Sequence, residues 1–178
     1  MYGYVKVGSA VPKLRVADCV YNKEEILKLV EAAAAKQVRV LSFPELSVTG
    51  YTCADLFFQT PLLHAAEQAI QEIAEATKAL NIFLLIGAPI AVDNQMFNCA
   101  VALYRGKLLG IVPKTHIPNY SEFYEERWFA SADDLLTEEI TYAGQNVPIG
   151  ADLIFAAADF PALKIGVEIC EDLWVPIP

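Results

Sequence analysis

With 178 residues, 55% of them hydrophobic, the chain carries enough apolar side chain for a sizeable core, which excludes a disordered polymer. Thirteen basic residues against twenty-two acidic ones leave a net charge of -9, which repels polyphosphate and excludes counterion-driven binding to nucleic acid. Mean hydropathy is +0.35, yet the longest apolar run, Ile82 to Val92, is too short to cross a hydrocarbon layer of about 30 Å, so no membrane partner is expected.

The first residues, Met1 to Lys6, show no basic flank followed by an apolar stretch. Neither a secretory leader nor a transit peptide is expected, and the cytoplasm is the expected compartment. Tyr4 to Ala10 suits an extended strand. Asn22 with Glu25 reads as a capping box opening a helix whose apolar face is Ile26, Leu29, Val30, Ala33 and Ala34. Val38 to Phe43 is β-branched and apolar enough for a buried strand, and Pro44 ends it for want of an amide hydrogen.

Thr60 as cap and Pro61 in the first turn open a second helix, with Leu63, Ala66, Ile70 and Ile73 on its stripe as far as about Leu80. Ile82 to Ile86 is a buried strand entering a turn at Gly87 and Pro89. Phe97 to Tyr104 and Lys107 to Val112 form an antiparallel hairpin through Arg105-Gly106. A polar, acidic connection follows from Asp133 to Gln145. Leu153 to Ala156, a turn at Phe160-Pro161 and a strand from Leu163 to Ile169, closed by Cys170, complete the chain. Helices alternating with strands early and hairpins later predict an α/β architecture, a mixed sheet layered with helices.

Glu45, Lys114 and Cys170 each stand just past an apolar run, and in open α/β sheets ligands bind outside the strand ends. If the strands point the same way, the three side chains converge. A thiol with its ordinary pKa near 8.5 is only a few per cent thiolate at neutral pH, so a catalytic cysteine needs a base or a cation. Glu45 supplies the first and Lys114 the second, in an apolar pocket walled by Phe43 and Tyr51. Cys19, Cys53, Cys99 and Cys170 make no C-x-x-C pair, so free thiols are expected, three of them small core residues. With two histidines, they give no tetrahedral metal spacing, and no metal is expected. His64 and His116 carry no triad signature, and with Met1-Tyr2-Gly3 at the start an N-terminal cysteine nucleophile is not expected unless processing exposes one.

Phe43 to Tyr51, Pro113-Lys114 leading into Glu122 to Phe129, and Gly166 to Asp172 resemble the nitrilase, or carbon-nitrogen hydrolase, superfamily. Val11 to Asp18, Tyr51 to Phe57 and Glu168 to Pro176 narrow the resemblance to the glutaminase domain of glutamine-dependent NAD synthetases, over essentially the whole chain. The resemblance implies a nitrilase-like α-β-β-α sandwich with mixed sheets, of which residues 1–178 are the N-terminal portion, incomplete at the C-terminus. It implies that Glu45 accepts the thiol proton, Cys170 attacks the side-chain amide of glutamine, and Lys114 with the Glu171 backbone amide steadies the oxyanion. Glu125 matches an accessory glutamate, with Glu122 and Glu126 close enough to compete for that role. Tyr51, Tyr120, Phe123 and Glu171 match positions lining the glutamine pocket.

It further implies no cofactor in this chain. ATP, Mg and deamido-NAD are expected at a synthetase domain on the same or another polypeptide, since no Gly-rich phosphate loop occurs here. A homo-oligomer is expected. Two other functions compete: a stand-alone nitrilase-type amidase acting on another small amide, and an inactive interaction domain that kept the fold.

Overall fold

The computed structural model describes residues 3–177. Strand β1 (Val7–Ser9) is followed by helix α1 (Cys19–Ala35), β2 (Val40–Ser42) and helix α2 (Thr60–Thr77). Three longer strands come next, β3 (Phe83–Val92), β4 (Gln95–Tyr104) and β5 (Lys107–Pro113). They form one sheet in the order β1-β2-β3-β4-β5, with β1, β2 and β3 parallel and each later strand antiparallel to its neighbour. The sheet is mixed and helix-layered, as expected. Because β4 reverses and β5 reverses again, β5 runs in the same direction as β2, so the residues that follow β2 and β5 leave from the same end of the sheet.

The hairpins owe their register to turn chemistry. Arg105 and Gly106 have φ of 51° and 80°, the paired left-handed geometry whose twist matches the flanking strands. Asp93 and Asn94 do the same at 49° and 65°, joining β3 to β4. β3 therefore continues through Gly87 and Pro89, where a turn was expected. All of Phe83 to Val92 pairs with β4, whereas β2 pairs only with Phe83, Leu84 and Leu85. Pro89 thus has no strand on its other side, the place where a sheet tolerates proline.

Other boundaries shift for local reasons. The first two strands shrink to Val7–Ser9 and Val40–Ser42, because their mutual pairing covers only those residues. The cap of α1 is Asp18, which accepts from the Tyr21 N–H at 3.0 Å, not Asn22. Asn22 lies buried in the helix and is used elsewhere: its amide accepts from Arg15 N and donates to Arg15 O and Val48 O. Ile26, Val30 and Ala33 are buried as expected, with Leu29 and Ala34 half-buried. In α2 the cap position is Gln59, without a side-chain bond, and Leu62 takes the buried place expected of Leu63, beside Ala66, Ile70 and Ile73.

The expected acidic connection contains a hairpin, β6 (Glu139–Tyr142) and β7 (Gln145–Pro148). Gln145 accepts from Leu108 N at 3.1 Å, and Gly150 N donates to Ile111 O at 3.0 Å, so β7 is moored along the β5 edge. β8 (Phe155–Ala157) and β9 (Phe160–Ile165) pair antiparallel, so the turn falls before Phe160 rather than at Phe160-Pro161. This hairpin lies on the larger sheet, with the Phe155 ring 5.4 Å from that of Phe83. Gly110 leaves the room: a Cβ there would stand 2.9 Å from Leu153 and Phe155 side-chain atoms. Among the described residues no helix is long and apolar enough to cross a membrane.

Gly87 positions the loop that follows β2. A Cβ on it would fall 2.3 Å from Leu46 N and 2.6 Å from Pro44 O, backbone atoms that cannot rotate away. Gly87→Ala is therefore expected to destabilise by about 1–3 kcal/mol, the usual range for overpacking, and to displace Glu45. Thermal unfolding checks the first effect; an unchanged midpoint would show that the loop yields freely.

Candidate active site

After β2, Pro44 stops the strand and the chain enters a tight turn through Glu45 and Leu46, the latter at φ 52°. Ser47 N bonds back to Pro44 O, Val48 N to Gly87 O, and Gly50 N to Leu46 O. Ser47 and Thr49 are fully buried, and their hydroxyls donate to Gly87 O, Leu46 O and Gly50 O. The backbone under Glu45 is thus fixed from several directions, which is what permits a bulky residue such as Leu46 at positive φ.

Lys114 comes directly after β5. Its main-chain N–H donates to Asn98 O at 2.8 Å and its carbonyl accepts from Ala132 N at 2.9 Å. Its side chain is 0% exposed, and Nζ donates to Glu45 Oε1 at 2.6 Å and to Glu125 Oε2 at 2.9 Å. Glu125, itself buried, opens a 3-10 turn (Glu125–Arg127) anchored by its N–H to Pro118 O. The Tyr51 hydroxyl donates to Glu125 Oε1 at 2.6 Å. Of the three candidate accessory glutamates, Glu125 is the one that meets Lys114. Glu122 and Glu126 are exposed, and Glu126 accepts from Asn119 instead.

Cys170 is exposed, whereas Cys19, Cys53 and Cys99 are buried. It does not close a strand: β9 ends at Ile165, and Cys170 begins a 3-10 turn (Cys170–Trp174) with φ 52°. Asp172, unremarked in the sequence, secures that turn. Its Oδ2 accepts from Ile169 N at 3.1 Å, and its Oδ1 accepts from Thr115 N at 3.2 Å and His116 N at 2.8 Å. One buried carboxylate therefore ties the cysteine turn to the residues just past Lys114. Charge-assisted bonds to backbone N–H groups are among the stronger hydrogen bonds in proteins.

Asn98 is a second residue that strand periodicity did not single out. Fully buried on β4, it donates from Nδ2 to Glu45 Oε1 at 2.5 Å. Tyr120 donates to both Glu171 oxygens, at 3.1 and 3.0 Å, and stacks edge-on to half-buried Phe123. Glu45, Lys114, Glu125 and Tyr51 thus form one hydrogen-bonded cluster, and Cys170 lies within electrostatic range of it, with Tyr120 joined to the cysteine turn at Glu171 and Phe123 packed against Tyr120. The expected wall of Phe43 and Tyr51 is only partly apolar in effect, since Tyr51 acts through its hydroxyl. A broad concavity of about 1170 Å³ opens alongside. Tyr120 and Glu171 line it but Glu45, Lys114 and Cys170 do not, so the chemistry of the side chains rather than the size of the hollow locates the site.

The Cys170 thiol responds first to desolvation and then to the charges around it. Although Cys170 is exposed as a residue, its surroundings partly desolvate the thiol and push it above its ordinary range; the Glu45, Glu125 and Glu171 charges push it further, and Lys114 pulls it part of the way back. Burial alone would lower the Lys114 pKa, but hydrogen bonds and charge from Glu45 and Glu125 outweigh it and raise the value. Tyr51 is raised by burial and then by Glu125. The Cys170 and Lys114 shifts favour a neutral thiol and a charged lysine at neutral pH.

This gives a pH test. The rate of Cys170 alkylation by iodoacetamide, followed on its own peptide, is expected to reach half-maximum above the ordinary thiol range. Lys114→Met should move it higher still, and Glu45→Gln lower. A half-maximum near neutral pH would instead reveal a preformed thiolate.

A family model described as carbon-nitrogen hydrolase matches residues 6–177. The glutamine-dependent NAD(+) synthetase of Mycobacterium leprae is 39% identical over 176 residues, covering 99% of this chain and 26% of that protein. Its counterpart in Aquifex aeolicus is 31% identical, over 90% of this chain and 24% of that protein. Among solved structures, a glutamine-dependent NAD(+) synthetase from Cytophaga hutchinsonii superposes with a TM-score of 0.84 at 30% identity, covering 94% of this chain and 28% of that one. An amidase from Nesterenkonia sp. shares the fold, with a TM-score of 0.62 at 18% identity over 80% of this chain and 53% of that one. The chain spans about a quarter of the length of the curated relatives it matches.

Proposed function

Since the chain belongs to the carbon-nitrogen hydrolase family, we propose that it hydrolyses the side-chain amide of glutamine at Cys170, with Glu45 as general base and Lys114 as cationic partner. The observation that carries this reading is the buried Lys114 ammonium clamped between Glu45 and Glu125, within electrostatic range of the exposed Cys170. Burying an ion triad is favourable only when its geometry is good and its hydrogen bonds are met, and here it serves a reaction that moves charge.

As glutamine binds, Glu45 takes the thiol proton and sulfur adds to the amide carbon. The negative charge that develops on the amide oxygen is met by Lys114 and the Glu171 backbone N–H. Glu45 returns the proton to the departing nitrogen, which leaves as ammonia, and a thioester remains on Cys170. Water then loses a proton to Glu45, adds to the thioester and releases glutamate, restoring the thiol. Glu125 and Tyr51 hold Lys114 in place, and Tyr120, Phe123 and Glu171 receive the amino-acid end of the substrate.

The relatives' names, glutamine-dependent NAD(+) synthetase, support a role in NAD synthesis, and our proposal is that the ammonia passes to the ATP-dependent amidation of deamido-NAD. ATP, Mg and deamido-NAD would be held by a synthetase domain partnering this one, within a homo-oligomer, and no residue of this chain is assigned to them. Steady-state hydrolysis tests the substrate assignment. Glutamine should exceed acetamide and propionamide in kcat/KM by at least about 10²-fold, since a pocket built to hydrogen-bond a polar group strongly rejects analogues that lack it. Equal values for the three amides would favour a general amidase.

A further inference from the structure

We propose that Asn98 is a positioning residue that aims the Glu45 carboxylate, leaving Glu45 Oε2 as the atom that takes the thiol proton; this rests on the assignment of Glu45 as base. Asn98 sits mid-strand in β4, opposite Pro89, and is 0% exposed. Its Nδ2 donates to Glu45 Oε1 at 2.5 Å, and Lys114 Nζ donates to that same oxygen at 2.6 Å. Its main-chain carbonyl meanwhile accepts the Lys114 N–H at 2.8 Å. One residue therefore fixes the base through its side chain and the lysine through its backbone, across 53 residues of sequence in the first case.

Both donors fall on Oε1. With one oxygen saturated, the other is the one that remains basic and free to accept a proton. The amide does this at the expense of its own bonding, because Asn98 Oδ1 is buried without a protein partner among the described residues. An orientation that left Oδ1 facing Glu45 would set two acceptors against each other, so the placement follows from what Glu45 needs. Leucine of similar size would remove the donor. Aspartate would set a carboxylate against Glu45.

The test compares glutamine hydrolysis by the parent chain, Asn98→Ala, the near-isosteric Asn98→Asp and Glu45→Gln as functions of pH, with thermal unfolding confirming that each variant is folded. Asn98→Ala is expected to lose about 10- to 100-fold in kcat, as displaced reacting groups do, with KM for glutamine within about twofold. The acid limb of kcat should move to higher pH, because a carboxylate that loses a donor takes up a proton more readily. Asn98→Asp should lose more and shift further in the same direction. A fall in kcat without movement of the acid limb would mark a purely structural role and overturn the inference, as would parent-like kcat in either Asn98 variant while Glu45→Gln is inactive. Should Glu45→Gln keep the parent rate, the base assignment itself fails and the inference falls with it.

Discussion

Cys170→Ala is expected to lower glutamine hydrolysis by about 10⁴- to 10⁶-fold, the range seen when a covalent hydrolase loses part or all of its nucleophile machinery, with the fold retained. Cysteine and alanine both carry a Cβ, so the left-handed backbone at φ 52° is no more strained after the change. The exposed thiol contributes little packing. Cys19, Cys53 and Cys99 are all buried and poorly placed to stand in. Burial raises Cys19 to about 11 and pushes Cys99 higher still, leaving both as protonated core residues. In a protein that joins this chain to a synthetase domain, synthesis from free ammonia should survive the substitution. Comparable loss of both activities would show that the division of labour is wrong.

Lys114→Ala acts on rate and stability together. Removing one oxyanion partner costs about 10²- to 10³-fold in turnover. It also leaves Glu45 and Glu125 facing each other without a cation, and breaking a buried ion pair costs about 3–5 kcal/mol. The pH dependence of the stability difference follows from the raised Lys114 pKa. The stabilisation is fully present below the ordinary lysine value of 10.5 and is lost as pH rises through the higher folded-state value. Chemical denaturation of parent and variant from neutral to strongly alkaline pH should therefore show a gap that is constant and then narrows. A gap that widens on the alkaline side, or near-parent turnover, would contradict the role given to Lys114.

The parts of this molecule that could be read from sequence are those set by neighbours in the chain. Apolar spacing gave α1 and α2, Arg105-Gly106 gave its hairpin, and strand ends marked by Pro44 and Pro113 placed Glu45 and Lys114 at one end of the sheet. What escaped depends on distant partners. Asn22 has the composition of a cap, but Arg15 and Val48 take its amide. Gly87 looked like a turn because nothing local shows that the Glu45 loop needs its missing Cβ. Asn98 and Asp172 are ordinary polar residues until folding sets them against Glu45 and against the backbone after Lys114. Cys170 was expected at a strand end. β9 stops at Ile165 because its pairing with β8 stops there, and it is Asp172 that holds the cysteine turn.

The most direct measurement is labelling by a diazoketone analogue of glutamine, with the modified peptide identified by mass spectrometry. One label per chain is expected, on Cys170, slowed by glutamine in the medium and absent from Cys170→Ala. Labelling spread over Cys19, Cys53 or Cys99, or labelling of Cys170 at a rate indifferent to glutamine, would contradict the assignment of this site to glutamine hydrolysis.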